Sequence, residues 1–128
     1  SLVGSEMCIR DRSYLTPPVP ITGNITLFSP TTNTEYTKAS IADEYKKQFE
    51  SELYENLIKP ESSTVSSVIY TICLDKEKPE QPTLDSSGKN MITNCQSGGT
   101  YTTIKVVWRS KSTKDRFNDY SYVLRVAN

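Results

Sequence analysis

Three runs of alternating residues in the second half of this chain constrain its fold more than any other feature. Val68, Tyr70, Ile72 and Leu74 fall on one side of a first run. Ile104, Val106 and Trp108 share a side of a second, opposite Thr103, Lys105 and Val107, and Tyr120, Tyr122, Leu124 and Val126 share a side of a third. Extended backbone points successive side chains to opposite faces, so each run predicts a β-strand with one face toward a core. Residues 109–119 are polar, as a long hairpin loop would be, which makes the last two strands antiparallel neighbours.

An apolar sheet face needs a cover, and the residues upstream supply one. Ile41, Tyr45, Phe49, Leu53 and Leu57 recur every four residues, and Tyr54 and Ile58 widen the stripe. Ser40 is placed to cap this helix, with Asp43 completing an imperfect capping box, and Pro60 lies beyond its end. Lys46, Lys47, Glu50, Glu52 and Glu55 lie mostly on the opposite side, so the helix is one-faced. Met91-Ile92 predicts a small extra strand, and Gly98-Gly99 a break in the ladder. The expected architecture is α+β: one amphipathic helix packed on an antiparallel sheet of about three to five strands, ending in a long β-hairpin. Residues 37–128 form this single globular domain, with Ile41, Tyr45, Phe49, Leu53, Trp108 and Leu124 in its core. Residues 13–36 precede it as a Pro-rich arm or linker, in which Pro17, Pro18 and Pro20 forbid helix and favour extended backbone, and Asn24 to Phe28 has room for a short strand.

Fifteen basic and fifteen acidic side chains cancel in number but not in position. Residues 35–85 carry eleven acidic and six basic groups, whereas residues 89–125 carry seven basic and two acidic. Such asymmetry fits an anionic partner, fits assembly in which one subunit's basic surface meets the next subunit's acidic one, and fits simple solvation equally. Catalysis has little support. The chain has no histidine to act as a base near neutral pH, no Gly-rich phosphate loop and no Gly-x-Ser-x-Gly. Glu52 and Glu55 lie on the predicted solvent face of the helix, and Asp115 and Asp119 read as turn formers. The expectation is a noncatalytic domain with no cofactor.

Cys73 and Cys95 flank a loop containing Pro79, Pro82 and Gly88. A disulfide between them would close a polar loop, as in many small extracytoplasmic domains; two buried free thiols are the alternative. With no histidine, a four-ligand zinc site lacks donors. Asn24-Ile25-Thr26 is a glycosylation sequon with meaning only in a eukaryotic secretory setting. The candidate interaction surface is basic: Arg109, Lys111, Lys114 and Arg116 fall within eight residues, flanked by Trp108 and Phe117. Phosphate attraction and base stacking can coexist there, which gives a nucleic-acid reading, although Trp108 alternates with Ile104 and Val106 as a core residue does. Tyr45, Tyr70, Tyr120 and Tyr122 all fall on predicted buried faces and read first as packing.

Two resemblances complete the reading. Residues 1–12, Ser-Leu-Val-Gly-Ser-Glu-Met-Cys-Ile-Arg-Asp-Arg, resemble a translated transposase adapter from DNA library preparation. They are therefore set apart from the fold as non-native, and a signal or membrane segment upstream of Ser13 would have been replaced by them. At Val106-Val107-Trp108 and Tyr120-Ser-Tyr-Val-Leu-Arg-Val-Ala-Asn128 the chain resembles the C-terminal end of minor type IV pilins and pseudopilins. That resemblance covers roughly the last thirty residues. It implies an extracytoplasmic head domain of a filament or surface assembly, with protein partners and a membrane connection only through the missing N-terminal segment. A Cys73–Cys95 bridge is compatible with the family's disulfide, although the second cysteine lies further from the end here. A phage or virion structural subunit, and a small nucleic-acid-binding module using residues 109–116, are the alternatives.

Overall fold

The structure, a computed structural model, describes residues 15–22, 38–113 and 116–125. Residues 1–12, the sequon with its Asn24–Phe28 segment, Lys114, Asp115 and Val126 lie outside the described residues, as do the side chains of residues 38–43, among them Ser40 and Ile41.

Strand β1 (Thr16–Ile21) is followed by helix α1 (Lys38–Leu53), which runs into a π-turn at Tyr54–Ile58. Strands β2 (Val65–Asp75), β3 (Thr83–Leu84), β4 (Met91–Ile92), β5 (Tyr101–Thr113) and β6 (Arg116–Arg125) complete the order. β1, β2, β5 and β6 form one antiparallel sheet in that spatial order, and β3 pairs with β4 in a small second sheet. The α+β architecture, the number of main strands and the terminal hairpin match the pattern in the sequence. Four details differ, each for a local reason.

Thr16–Ile21, read as part of a surface arm, joins the sheet by pairing with β2 at its edge. Proline lacks the N–H that a central strand needs on both sides but is tolerated on an edge, and the register shifts between Thr16 and Val19, where Pro17 and Pro18 stand.

The helical backbone begins at Lys38, so Ser40 lies within the first turn instead of capping it. An apolar stripe marks where a helix touches its core and carries no mark of where the helical backbone begins. At the other end, a strict four-residue repeat drifts about 40° per step around an α-helix. The wider π-turn counters that drift, leaving Leu57 and Ile58 packed against the core cluster.

Residues 109–113 and 116–119 are paired strand, not loop. The ladder continues through Arg109↔Asp119, Ser110↔Asn118 and Lys111↔Phe117 to Thr113↔Arg116, with an irregularity between Lys111 and Thr113. β2 accompanies β5 only as far as Val65↔Ser110. Beyond that point β5 and β6 form a two-stranded ribbon whose side chains, Phe117 apart, are polar because both faces are wet. Sequence polarity cannot separate such a ribbon from a loop.

Tyr120 and Tyr122, expected on a buried face, are 48% and 53% exposed. They do share the face of Trp108 and Val106, but the helix cover falls on β1, β2 and β5. The core cluster joins Tyr45 with Ile21, Val68, Tyr70, Ile72, Ile104 and Val106, and Phe49, Leu53, Trp108 and Leu124 pack against it. Phe49 meets Tyr70 edge to face at 5.2 Å, and the Tyr70 hydroxyl donates to Glu50 Oε2 at 2.6 Å.

The opposite face of the central strands is buried as well. Ile69, Thr71 and Asp75 of β2 and Thr103, Lys105 and Val107 of β5 are all closed off from solvent. Their cover is the excursion between β2 and β5, which carries β3, β4 and the Cys73–Cys95 disulfide.

Candidate functional site

Two groups of residues concentrate the chemistry. The first lies beneath the excursion. Cys73 and Asp75 sit two apart on β2 and so share a face, and Lys105 projects from β5 to the same face. Lys105 Nζ lies 2.6 Å from Asp75 Oδ2, with both side chains at 0% exposure. Nζ also donates to the carbonyls of Thr93 and Asn94, each at 3.0 Å. Asn94 adopts φ 54, a left-handed backbone that asparagine tolerates, in the turn that brings both carbonyls to the ammonium. Three oxygens thus surround the ammonium, two carbonyls that accept its N–H groups and the Asp75 carboxylate as its charge partner. Asp75 Oδ1 in turn accepts the backbone N–H groups of Lys76 at 2.8 Å and Gln96 at 2.9 Å. Burial alone would raise the Asp75 pKa. The hydrogen bonds from Lys105, Gln96 and Lys76, with the charge of Lys105, outweigh it and hold the carboxyl below its ordinary range.

Cys73 Sγ and Cys95 Sγ are joined in a disulfide next to this pair. Together with Asp75 they bring three potential metal-ligand atoms within 4.8 Å of one another. Both sulfurs are consumed by the bond, and metal coordination by cysteine requires a thiolate. In the oxidised protein the cluster is therefore a clamp and not a metal site. A groove of about 420 Å³ opens beside it, between Leu15, Thr16, Pro17, Pro18 and the residues around the disulfide. Its walls are apolar side chains, three threonines and the disulfide, with no acidic or basic side chain among them.

The second group is the basic ribbon. Arg109 projects to the excursion side of the sheet and is fully committed within the fold. Its Nε and Nη2 donate to the two oxygens of Asp119 at 2.7 and 3.1 Å, a bidentate pair. Nη1 and Nη2 also reach the carbonyls of Ser86 and Asp85 at 3.3 and 3.4 Å, and the guanidinium lies 3.8 Å from the centre of the Phe117 ring. Lys111 and Arg116 are exposed, and Lys114 lies outside the described residues. Trp108 is half-buried and stacks on Tyr120 at 6.0 Å.

Further polar contacts fasten the excursion to the sheet. Ser121 donates to Gln81 Oε1, Arg125 to the Glu77 carbonyl, and Asn94 to the Gln81 carbonyl. At its tip Asp85 accepts from Asn90 Nδ2 and Ser87 Oγ, then from the backbone of Asn90 and Lys89, and these bonds depress its pKa. The sequence reading found the cysteines and the basic residues but missed Asp75 and Lys105. One signal was present: Asp75 follows Cys73 by two, and a disulfide on that face implies that the face is covered. No described helix is long and apolar enough to cross a membrane. No protein-family model, no curated protein and no solved structure matches this chain.

Proposed function

We propose that this chain is the noncatalytic, extracytoplasmic head domain of a subunit in a filament or surface assembly, with protein as its partner. The observation that carries the reading is the Cys73–Cys95 disulfide, which fastens the excursion over the buried residues Thr71, Asp75, Thr103 and Lys105. Disulfides of this kind persist in oxidising compartments. Absence of catalysis is supported by the roles of the buried ionisable groups: Asp75, Lys105 and Tyr70 are each directed at a fold partner. The minor pilin and pseudopilin likeness of the terminal hairpin, and the leader's likeness to an adapter, remain part of this proposal.

Protein is favoured over nucleic acid by the position of Arg109. Its bidentate pairing with Asp119 removes one cation from the candidate surface and adds an anion beside it, which weakens the field a phosphate backbone would meet. Two measurements test the reading. Intact-mass analysis with and without reduction should find both cysteines bonded in native protein. Recovery of the coding sequence upstream of Ser13 should reveal a secretion signal or an apolar anchor. Free thiols together with a soluble cytoplasmic start would overturn it. Salt-sensitive single-strand binding that is lost on reversing Lys111, Lys114 and Arg116 to Glu would favour the nucleic-acid alternative.

A further inference from the structure

Among the described residues the main sheet has two edges, and they are unlike. β1 contains Pro17, Pro18 and Pro20, which cannot donate a backbone hydrogen bond, so this edge is poorly suited to accept another strand. β6 has ten residues, no proline, and solvent along most of its length. Of the four large apolar side chains most exposed among the described residues, Phe117, Tyr120 and Tyr122 belong to β6. An uncovered strand of this length with aromatic side chains is an invitation to pairing.

We propose that β6 pairs antiparallel with β6 of a second copy of this chain about a two-fold axis through Tyr122, joining two four-stranded sheets into one of eight strands. The proposal rests on the assembly reading above and names its partner and contact. Identical edges satisfy each other when antiparallel, and the proline-bearing β1 edge disfavours the head-to-tail alternative. The register follows from side-chain direction and charge. Residues directly opposite must share a face, so only every second register is open. The one centred on Tyr122 sets Asp119 against the second copy's Arg125, and by symmetry repeats that pair. Asp119 retains free acceptor capacity beyond its two bonds to Arg109, and Arg125 retains donors beyond Nη1, which reaches Glu77. On the other face Tyr120 comes against the second copy's Leu124, and the two Tyr122 rings meet, covering the aromatic surface that α1 leaves open. The register one step toward the ribbon tip would instead set Arg125 against Phe117 and Asp119 against Val123, leaving both charges unpaired across the contact.

Sedimentation equilibrium of the full chain, with Cys8 replaced by serine, tests the contact. A dimer is expected below about 1 mM. Tyr122→Asp places two carboxylates on the axis and should weaken the dimer at least about tenfold. Tyr122 is largely exposed, so the melting transition of the monomer should not move. Cysteines introduced singly at positions 120, 121, 122 and 123 then read the register under mild oxidation, since the competing register is centred on Ser121. Cross-linking should peak at Tyr122→Cys, where each residue faces its own copy at a separation a disulfide can span. A monomer at about 1 mM, a dimer indifferent to Tyr122→Asp, or a cross-linking maximum elsewhere overturns the proposal. These outcomes would leave the assembly reading standing, because that reading fails on free thiols and the upstream sequence.

Discussion

Lys105 Nζ and Asp75 Oδ2 lie 2.6 Å apart on adjacent strands, with no part of either side chain reaching solvent. Removing one member strands the other's charge in a dry site, which typically costs about 3–5 kcal/mol. Lys105→Met and Asp75→Asn should each destabilise the protein by that order. The double variant should cost less than the sum, because no charge remains unpaired. Urea unfolding of the four proteins measures the coupling.

The same pair sets a sign for acid sensitivity. The Asp75 carboxyl titrates below its ordinary value of 3.8 in the folded protein, so the unfolded chain binds the proton more readily. Its contribution is fully present above that value and disappears as the pH falls through the lower folded value. Unfolding free energies measured from about pH 2 to pH 7 should therefore fall more steeply at the acid end for the wild type than for Asp75→Asn.

Tyr70 carries the opposite sign. Burial first, then its hydrogen bond to Glu50, raise its pKa above the ordinary 10.0. The unfolded phenol ionises where the folded one stays neutral, so stability is lost as the pH rises past 10.0. Tyr70→Phe should flatten that alkaline loss in thermal melts, whatever its effect on stability at neutral pH.

Reduction of Cys73–Cys95 should lower stability by about 3 kcal/mol, the entropy released when a loop of this length is opened in the unfolded chain. Thermal melts with and without a dithiol reductant, paired with intact masses, test it. A difference below about 1 kcal/mol would mean that the polar contacts hold the excursion alone.

Two neighbouring glycines should behave differently. A side-chain carbon at Gly99 would collide with the backbone of Asp75, whereas Gly98 has φ 80 and open space around it. Gly98→Ala should cost about 1 kcal/mol from backbone strain, and Gly99→Ala distinctly more, because the neighbour in the way is main chain. Deleting residues 1–12, the adapter-like leader, should move the melting temperature by no more than about 2 °C.

What could be read from the sequence was whatever periodicity encodes. Val68, Tyr70 and Ile72, like Ile104 and Val106, alternate because one face meets the helix, and the helix declares itself through Tyr45, Phe49 and Leu53. The second buried face was hidden because its members are Thr71, Asp75, Thr103 and Lys105, residues whose type signals solvent. Only the three oxygens around Lys105 Nζ make that burial tolerable, and two of them are backbone carbonyls from a distant turn that carries no residue-specific mark. Tyr120 and Tyr122 misled in the other direction. Alternation reports which face a residue takes but not how far the covering helix extends across it. The basic surface lost Arg109 for a related reason: its partner Asp119 stands directly across the ladder, a relation that appears only once residues 109–113 and 116–119 are known to be strand.

The disulfide also makes the chain topologically a ring with two tails. A backbone cut anywhere between Lys76 and Asn94 would open that ring without dividing the molecule, since the two pieces remain covalently one through Cys73 and Cys95 until reduced. The tip at Ser86, Ser87, Lys89 and Asn90 is exposed, the kind of place where a protease nicks and where foreign sequence is accepted. A peptide grafted there would be displayed from a rigid sheet with both of its ends anchored, and would stay attached even after its own cleavage.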